Sequence, residues 1–265
     1  MGKRRSKWIL PLLVFGAVVG IFILIQAFGG LYPFGEKSNL LWDQDVQYVD
    51  FFAFYKDVLT GKADIGYSFS KSAGGSLVAL FGYYLGCPLN LLVIFFEKEQ
   101  LPLFIFLLTA VKLGLCGVTA NLYFSRRFPG LSLGMRGMLS VAYGLMQYNM
   151  RQSSNIMWLD GVILLPLLLL AVYEFIEYGK KAGLFLAVLF SIAINWYTGY
   201  MTGLFAVIYF FYERILKCEN FRGKEIKKFI IDGLLCGGTM VAGLLGSCFI
   251  FWPVVKGLQN GKEVF

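Results

Sequence analysis

Long apolar runs constrain the fold of this chain more than any other feature. Of its 265 residues, 58% are hydrophobic and only 15% are charged, whereas soluble domains are about 25% charged. Several runs reach the ~20 residues that an α-helix needs to cross the hydrocarbon core of a bilayer. Lipid offers no hydrogen-bond partner to the backbone, so such runs must be helical. The sequence therefore predicts an all-α, polytopic membrane helical bundle.

The apolar runs divide into about seven predicted transmembrane helices. These are residues 8–28, 101–124, 133–148, 157–178, 183–197, 200–216 and 229–252. Clusters of basic residues mark the cytoplasmic side of a membrane. With the amino terminus in the cytoplasm, strict alternation of the helices places every basic cluster inside. The clusters are residues 3–7, 126–136, 180–181 and 217–228.

Residues 29–100, called the insert below, form a long first external loop in this topology. Within the insert, residues 77–96 are apolar but are interrupted by Gly82, Gly86 and Pro88. These breaks predict an interfacial or re-entrant segment rather than a span. Earlier in the insert, apolar residues at helical spacing predict an amphipathic helix that lies on the membrane. They are Tyr48, Phe51, Phe52, Tyr55 and Leu59.

The net charge of +8 does not indicate nucleic-acid binding, because the basic residues form short clusters between apolar runs. The chain has no histidine, which is the commonest general base and metal ligand. Its five cysteines lack the spacing of a metal site. Any acid–base chemistry therefore falls to carboxylates, lysine or tyrosine.

The uncommon polar residues fall mostly on the predicted outer side. A positioned aspartate such as Asp43 can take a proton from a hydroxyl group, and Lys71 or Arg151 can stabilise a phosphate. Alternatively, Asp43 and Asp45 hold a divalent cation such as Mg²⁺ or Mn²⁺ through hard oxygen ligands. The simplest alternative is a solvated loop in which an aspartate caps the following helix.

A second group of polar residues lies at the predicted outer ends of the helices or in the insert, where it is expected to line a cavity. For Asp160, a structural ion pair, for example with Arg151, or a wetted helix end is the alternative. For Asn195, the alternative is a hydrogen bond between helices. The remaining members of this predicted lining are Gln47, Tyr48 and Tyr197.

Short motifs follow one another over nearly the whole chain. They are Asp43-x-x-x-Gln47-Tyr48-x-x-Phe51-Phe52, Tyr67-Ser68-Phe69-Ser70-Lys71 with Gly74-Gly75, Tyr83-Tyr84-Leu85, Pro88-Leu89-Asn90-Leu91-Leu92, Met157-Trp158-Leu159-Asp160 with Leu165-Pro166, and Asn195-Trp196-Tyr197-x-Gly199-Tyr200-Met201. Together these motifs resemble the bacterial YfhO family of membrane proteins. The layout of that family is similar to that of GT-C glycosyltransferases.

The resemblance implies a multi-pass glycosyltransferase of the bacterial cell membrane. Its donor would be a polyprenyl-phosphate-linked sugar, and its acceptor a cell-wall polymer of the teichoic-acid or lipoteichoic-acid type on the outer face. Asp43 matches the family's aspartate before Gln-Tyr and would be the catalytic carboxylate, whereas Asp45 lies outside that pattern. The phosphate-binding roles of Lys71 and Arg151 are inferred from their charge and place, not from the family.

Two other functions stay open: a transporter or flippase of lipid-linked envelope precursors, and a non-catalytic assembly protein of the envelope. Lys112, inside the second predicted span, is the residue that most favours a transporter. Members of the resembled family are usually longer. The chain is therefore expected to be a single transmembrane domain, residues 1–265, from the N-terminal part of a longer protein.

Overall fold

The structure, a computed structural model, describes residues 2–68, 76–218 and 222–260. Within these ranges the chain forms α-helices joined by short π- and 3₁₀-helical segments, without a β-strand. The helices are α1 (Gly2–Phe28), α2 (Val49–Leu59), α3 (Val78–Leu80), α4 (Leu101–Arg127), α5 (Leu133–Gly144), α6 (Gln147–Arg151), α7 (Ile156–Tyr178), α8 (Lys181–Ile194), α9 (Trp196–Leu216), α10 (Gly223–Gly246) and α11 (Cys248–Asn260). The predicted all-α bundle is confirmed.

In the described ranges, four helices are long and apolar enough to cross a membrane, and they match four of the predicted spans. They are Trp8–Phe28, Lys98–Arg127, Ile156–Tyr178 and Glu225–Gly246. The other predicted spans coincide with α5, α8 and α9. Helix α5 has 12 residues and α8 has 14, and at 1.5 Å per residue neither reaches the ~30 Å of a hydrocarbon core. The count of seven spans stays a prediction.

Several predicted boundaries are shifted, each at a local break in the helix. The third predicted span is divided after α5, and the seventh is divided at Ser247 between α10 and α11. The stretch that begins at Asn195 was expected to close one span and open a loop. Instead, the Asn195 side chain caps α9, because its Oδ1 accepts the N–H of Thr198 at 3.0 Å. Helix α9 therefore starts immediately, at Trp196.

The apolar part of the insert also breaks where the sequence predicts. Two short helical pieces, Val78–Leu85 and Pro88–Phe95, meet at an angle of 97°. Gly86 lies at this break and packs directly on the end of α8. A Cβ atom added to Gly86 would lie 2.6 Å from the carbonyl oxygen of Ile194. The break therefore requires glycine so that two backbones can approach each other.

Helix α2 buries the face that its periodicity predicts, but it packs against protein rather than on the membrane. Tyr48, Phe52 and Tyr55 are buried in one apolar cluster with residues of α4. The ring of Phe52 meets Phe104 edge-on, with centroids 5.0 Å apart. The expectation of a surface-lying amphipathic helix is thus corrected. The spacing identified the apolar face, but it does not say whether lipid or protein covers that face.

The bundle is built around α4, which contacts α1, α5 and α7. Small residues let α1 approach α4 closely. A Cβ atom on Gly114 would lie 2.5 Å from the Phe15 ring, and one on Gly117 would lie 2.9 Å from Val14. Such small-residue contacts are typical of membrane helix pairs, in which van der Waals packing replaces a hydrophobic driving force.

One end of the bundle, called the basic end below, is held by ion pairs between helix termini. Arg127, at the end of α4, lies 2.6 Å from Glu213, near the end of α9. Arg214 lies 2.9 Å from Asp232, in the first half of α10, and Lys217 pairs with Glu177 at the end of α7. These contacts bring together the ends of α4, α7 and α9 and the first half of α10. Helices α9 and α10, which follow each other in the chain, are therefore antiparallel.

Candidate functional site

The opposite end of the bundle carries the insert, and a short π-helix, Gln44–Tyr48, attaches it there. Gln44 is buried, and its Nε2 donates to the carbonyl oxygen of Ser153 at 2.9 Å. Its Oε1 accepts the N–H of Leu41 at 3.2 Å. The half-buried Asp43 immediately precedes this turn. Asp43 therefore directly precedes a turn that is anchored to Ser153.

Three residues of the predicted site converge on Tyr84. The Tyr84 hydroxyl donates to Oε1 of Gln47 at 3.3 Å, and its ring meets Tyr48 edge-on at 5.5 Å. The Asp43 carboxylate is near enough to interact electrostatically with Tyr84. Tyr48 is buried at 1% exposure, and this burial raises the pKa of its hydroxyl above the ordinary value. The structure therefore brings Asp43, Gln47 and Tyr48 together.

A line of aromatic side chains, called the aromatic row, continues from Tyr84 across the end of the bundle. Tyr83 and Tyr84 meet edge-on with centroids 4.7 Å apart. The indole N–H of Trp158 donates to the Tyr83 hydroxyl at 3.4 Å, and Tyr83 lies 5.7 Å from the ring of Tyr197. The row, Tyr84, Tyr83, Trp158 and Tyr197, connects the insert to α7 and α9.

Asn195 holds the aromatic row in place through hydrogen bonds to the backbone. Its side chain is 1% exposed, and its Nδ2 donates to the carbonyl oxygens of Tyr83 at 2.9 Å and Met157 at 3.2 Å. Together with the cap on Thr198, these bonds join the insert, α7 and α9 at one point. Asn195 thus forms the hydrogen bonds between helices that were the alternative to a cavity-lining role.

An apolar cavity of about 240 Å³ lies beside the aromatic row, among residues of α5, α7 and α9. Trp158 belongs to both the row and the cavity wall. Tyr148, Thr198 and Met201 form other parts of the wall. Apart from a few hydroxyl groups, the wall offers hydrocarbon and aromatic surface. This chemistry suits an apolar chain rather than a polar metabolite.

Asp160 lies deeper and pairs with Lys112, not with Arg151. The Lys112 Nζ lies 2.9 Å from the carboxylate and also donates to the carbonyl oxygen of Ile156 at 3.2 Å. Both side chains are at most 4% exposed. A buried charge requires a partner because its desolvation costs several kcal/mol. Each residue supplies that partner for the other.

Of the two predicted phosphate ligands, Arg151 and Lys71, the structure describes only Arg151. Arg151 is exposed at the end of α6 and forms no ion pair with the described residues. It lies two positions before Ser153, which binds Gln44, so its segment borders the turn that carries Asp43. Lys71 lies outside the described residues, as do Gly74 and Gly75.

A metal site at Asp43 and Asp45 has limited support from the donor groups. Asp45 is exposed, and the described residues contain no group of three or more histidine, cysteine or acidic residues placed to hold a metal ion. Two carboxylates alone do not form a divalent-cation site of six or more ligands. The metal therefore stays an alternative, and no chemical step below depends on it.

Sequence reasoning underestimated the aromatic residues. Aromatic residues such as Tyr83, Tyr84 and Trp158 are enriched at membrane interfaces, so the sequence alone gives them no more specific role than anchoring. Tyr83 and Trp158 instead contact each other across 75 residues of sequence. The signal that could have identified them is the adjacent Tyr83-Tyr84 pair within the long insert.

Apolar helices in an all-α bundle, with the insert at one end and basic residues at the other, define a polytopic membrane protein. A family model described as "Bacterial membrane protein YfhO" matches residues 13–265, and the chain belongs to this family. No match was found among curated proteins or among solved structures.

Proposed function

We propose that this protein is a membrane glycosyltransferase that moves a sugar from a polyprenyl-phosphate donor to a cell-envelope polymer of the teichoic-acid type. One observation carries the proposal. Asp43 directly precedes the anchored Gln44 turn and lies near Tyr84 of the aromatic row, yet it forms no ion pair with the described residues. A carboxylate in an ordered site without a neutralising cation is suited to accept a proton.

In this mechanism, a hydroxyl group of the acceptor polymer attacks the anomeric carbon of the donor sugar. Its proton passes to the Asp43 carboxylate as the new glycosidic bond forms. The bond between the anomeric carbon and the phosphate oxygen breaks, and the polyprenyl phosphate leaves with that electron pair. A single displacement of this kind inverts the configuration at the anomeric carbon. Gln47 and Tyr84 contribute the polar groups that orient the sugar.

The apolar cavity supports a lipid-linked donor. Its wall includes Trp158, which bonds to Tyr83, and Tyr83 contacts Tyr84 beside Asp43. A polyprenyl chain in the cavity would therefore place its phosphate and sugar along the aromatic row, near the carboxylate. Aromatic side chains also suit the apolar faces of a sugar ring. Asp160 and Asn195 would act indirectly, because both are fully engaged in contacts between helices.

Stabilisation of the departing phosphate is proposed for Arg151, with Lys71 as a second cation. Arg151 is exposed, is free of carboxylate partners in the described ranges and borders the Gln44 turn. Its planar guanidinium group matches a phosphate in a bidentate manner. The site is proposed to face the outside of the bacterial cell, with the amino terminus in the cytoplasm, because the opposite end of the bundle carries the basic clusters.

The donor class can be tested with membranes that contain the protein, isolated cell-wall polymer and a panel of radiolabelled polyprenyl-phosphate sugars. We expect label to reach the polymer from at least one lipid-linked donor. Nucleotide sugars, which lack the lipid, should transfer no label. Absence of transfer from every lipid-linked donor would favour the second candidate function.

The second candidate is a transporter of lipid-linked envelope precursors, favoured by the buried Lys112–Asp160 pair. Ionisable groups at membrane depth are rare and often mark a transport pathway. As observed, the pair is closed and shielded from solvent. A transporter would have to open it during each cycle, so movement of a fluorescent lipid-linked precursor between leaflets of proteoliposomes would need both residues.

A further inference from the structure

A second polar pocket lies at the basic end, away from the insert, where α1 and α5 begin and α4 ends. This basic pocket has a volume of about 480 Å³, and Asn121, Ser125, Arg126 and Arg136 supply its polar wall. Among the described residues, no acidic side chain lines it. The proposed glycosyl transfer uses none of these side chains.

The charges of the basic pocket are incompletely neutralised. Nε of Arg136 is buried without a hydrogen-bond partner among the described residues, and Arg136 forms no ion pair within the described ranges. Arg126 is 65% exposed, and its one carboxylate contact among the described residues is Glu174, at 3.7 Å. A buried donor left unpaired is unfavourable, and more so when it is charged. The pocket is therefore suited to bind an anion with several acceptor oxygens, because a guanidinium group binds such an anion in a bidentate manner.

The position of the pocket indicates that this anion belongs to an amphiphile. The candidate span Trp8–Phe28 begins at the pocket, and the candidate span Lys98–Arg127 ends there. Because one span begins and the other ends at the pocket, the pocket lies at the level of the membrane–water interface. The rest of its wall is apolar and includes Trp8 and Leu133, both largely exposed. A free anion would use the arginines but would have no need of the apolar rim.

We propose that the basic pocket binds the phosphate group of an anionic phospholipid, whose acyl chains lie along the apolar rim. Basic pockets between membrane helices on the cytoplasmic side are suited to anionic headgroups. The bound lipid would join α1, α4 and α5, since each of these helices contributes to the wall. It would stabilise the bundle in proportion to its concentration, by mass action. The inference is independent of the proposed transferase activity.

Native mass spectrometry of the purified protein in detergent tests this proposal. Phosphatidylglycerol or phosphatidylcholine of the same acyl composition is added, and the bound lipid is counted. Each arginine is expected to raise the affinity for phosphatidylglycerol about fivefold. It should raise the affinity for phosphatidylcholine less, because the choline cation offsets the charge of that lipid's phosphate. Arg136→Gln should weaken phosphatidylglycerol binding by about that factor and weaken phosphatidylcholine binding less. The matched control is Arg222→Gln, which removes an exposed arginine outside the pocket.

Equal binding of the two lipids, or equal phosphatidylglycerol binding by the wild type and Arg136→Gln, would overturn the proposal. Competition with inorganic phosphate separates the two sources of the anion: full displacement of the lipid would show a free-phosphate site instead. A further measurement does not depend on the folding of an arginine variant. Phosphatidylglycerol with brominated acyl chains should quench the fluorescence of the wild type more than that of Trp8→Phe, and equal quenching would contradict the lipid site.

Discussion

The amide of Asn195 donates to the carbonyl oxygen of Tyr83 at 2.9 Å, across 112 residues of sequence. This bond ties the insert to the junction of α8 and α9. The same amide nitrogen also binds Met157 of α7. One side chain therefore sets the position of the aromatic row relative to two helices.

Asn195→Leu should destabilise the protein, because it leaves buried backbone groups at Tyr83, Met157 and Thr198 without partners. Each such group costs about 1–3 kcal/mol when it finds no other partner. Thermal unfolding in detergent, followed by tryptophan fluorescence, would measure the loss. Tyr200→Phe, a change at an exposed residue nearby, is the control. An unfolding temperature for Asn195→Leu equal to that of the control would contradict the described network.

Replacing Lys112 or Asp160 alone should lower the free energy of unfolding strongly, whereas replacing both residues should lower it less. Removing one partner leaves a buried charge uncompensated, at about 3–5 kcal/mol. Replacing both, as in Lys112→Met with Asp160→Leu, removes the charges together and should recover most of the stability. Denaturant unfolding of the four proteins gives the double-mutant cycle. The transferase proposal is weakened if the stable double variant loses function as fully as Asp43→Asn does.

Gly86 and Gly16 differ in the space available for a side chain, so Gly16 serves as a control for a substitution at Gly86. A Cβ atom on Gly86 would lie 2.6 Å from the Ile194 carbonyl oxygen, whereas one on Gly16, in α1, would meet no atom within 4 Å. Gly86→Ala should therefore loosen the insert and make it more sensitive to limited proteolysis. Gly16→Ala should leave the protein unchanged or slightly stabilise it, since alanine favours a helix. Equal protease sensitivity of the two variants would show that the Gly86 contact does not hold the insert.

The sequence was sufficient to predict the elements whose signal is local. Spans of ~20 apolar residues define α1, α4 and α7 because the bilayer sets their length. Gly179, in the left-handed conformation at φ 68°, ends α7 at the predicted limit of the span, residue 178. The contacts between distant elements were not predictable. The partner of Asp160 depends on the rotation of α4 against α7, and hydrophobicity patterns do not specify that rotation.

The candidate site was partly predictable for the same reason. Asp43, Gln47 and Tyr48 lie within six consecutive residues, so their proximity follows from local structure. Their meeting with Tyr84, and the link to the apolar cavity through Trp158, join segments that are distant in sequence, and the insert bends by 97° just after Tyr84. Glycine and proline at that bend predict a break, but not the direction in which the chain continues.

The orientation of the bundle can be tested by cysteine labelling. In a variant without the native cysteines, Lys62→Cys in the insert should react with a membrane-impermeant thiol reagent in intact cells. Lys181→Cys should react only after the membrane is opened. Both lysines are exposed in the structure, so access depends on the side of the membrane alone. The reverse labelling pattern would place the insert inside and rule out an external transferase site.

The most direct test of the central claim compares Asp43→Asn with Asp50→Asn in the transfer of labelled sugar from polyprenyl phosphate to cell-wall polymer. Asp50 is an exposed carboxylate of the same insert, on α2, and has no role in the proposed site. At equal expression, Asp43→Asn should lower the rate by at least about 10²-fold, as expected for loss of a general base, while Asp50→Asn transfers like the wild type. Transfer by Asp43→Asn at the wild-type rate would contradict the catalytic role of Asp43.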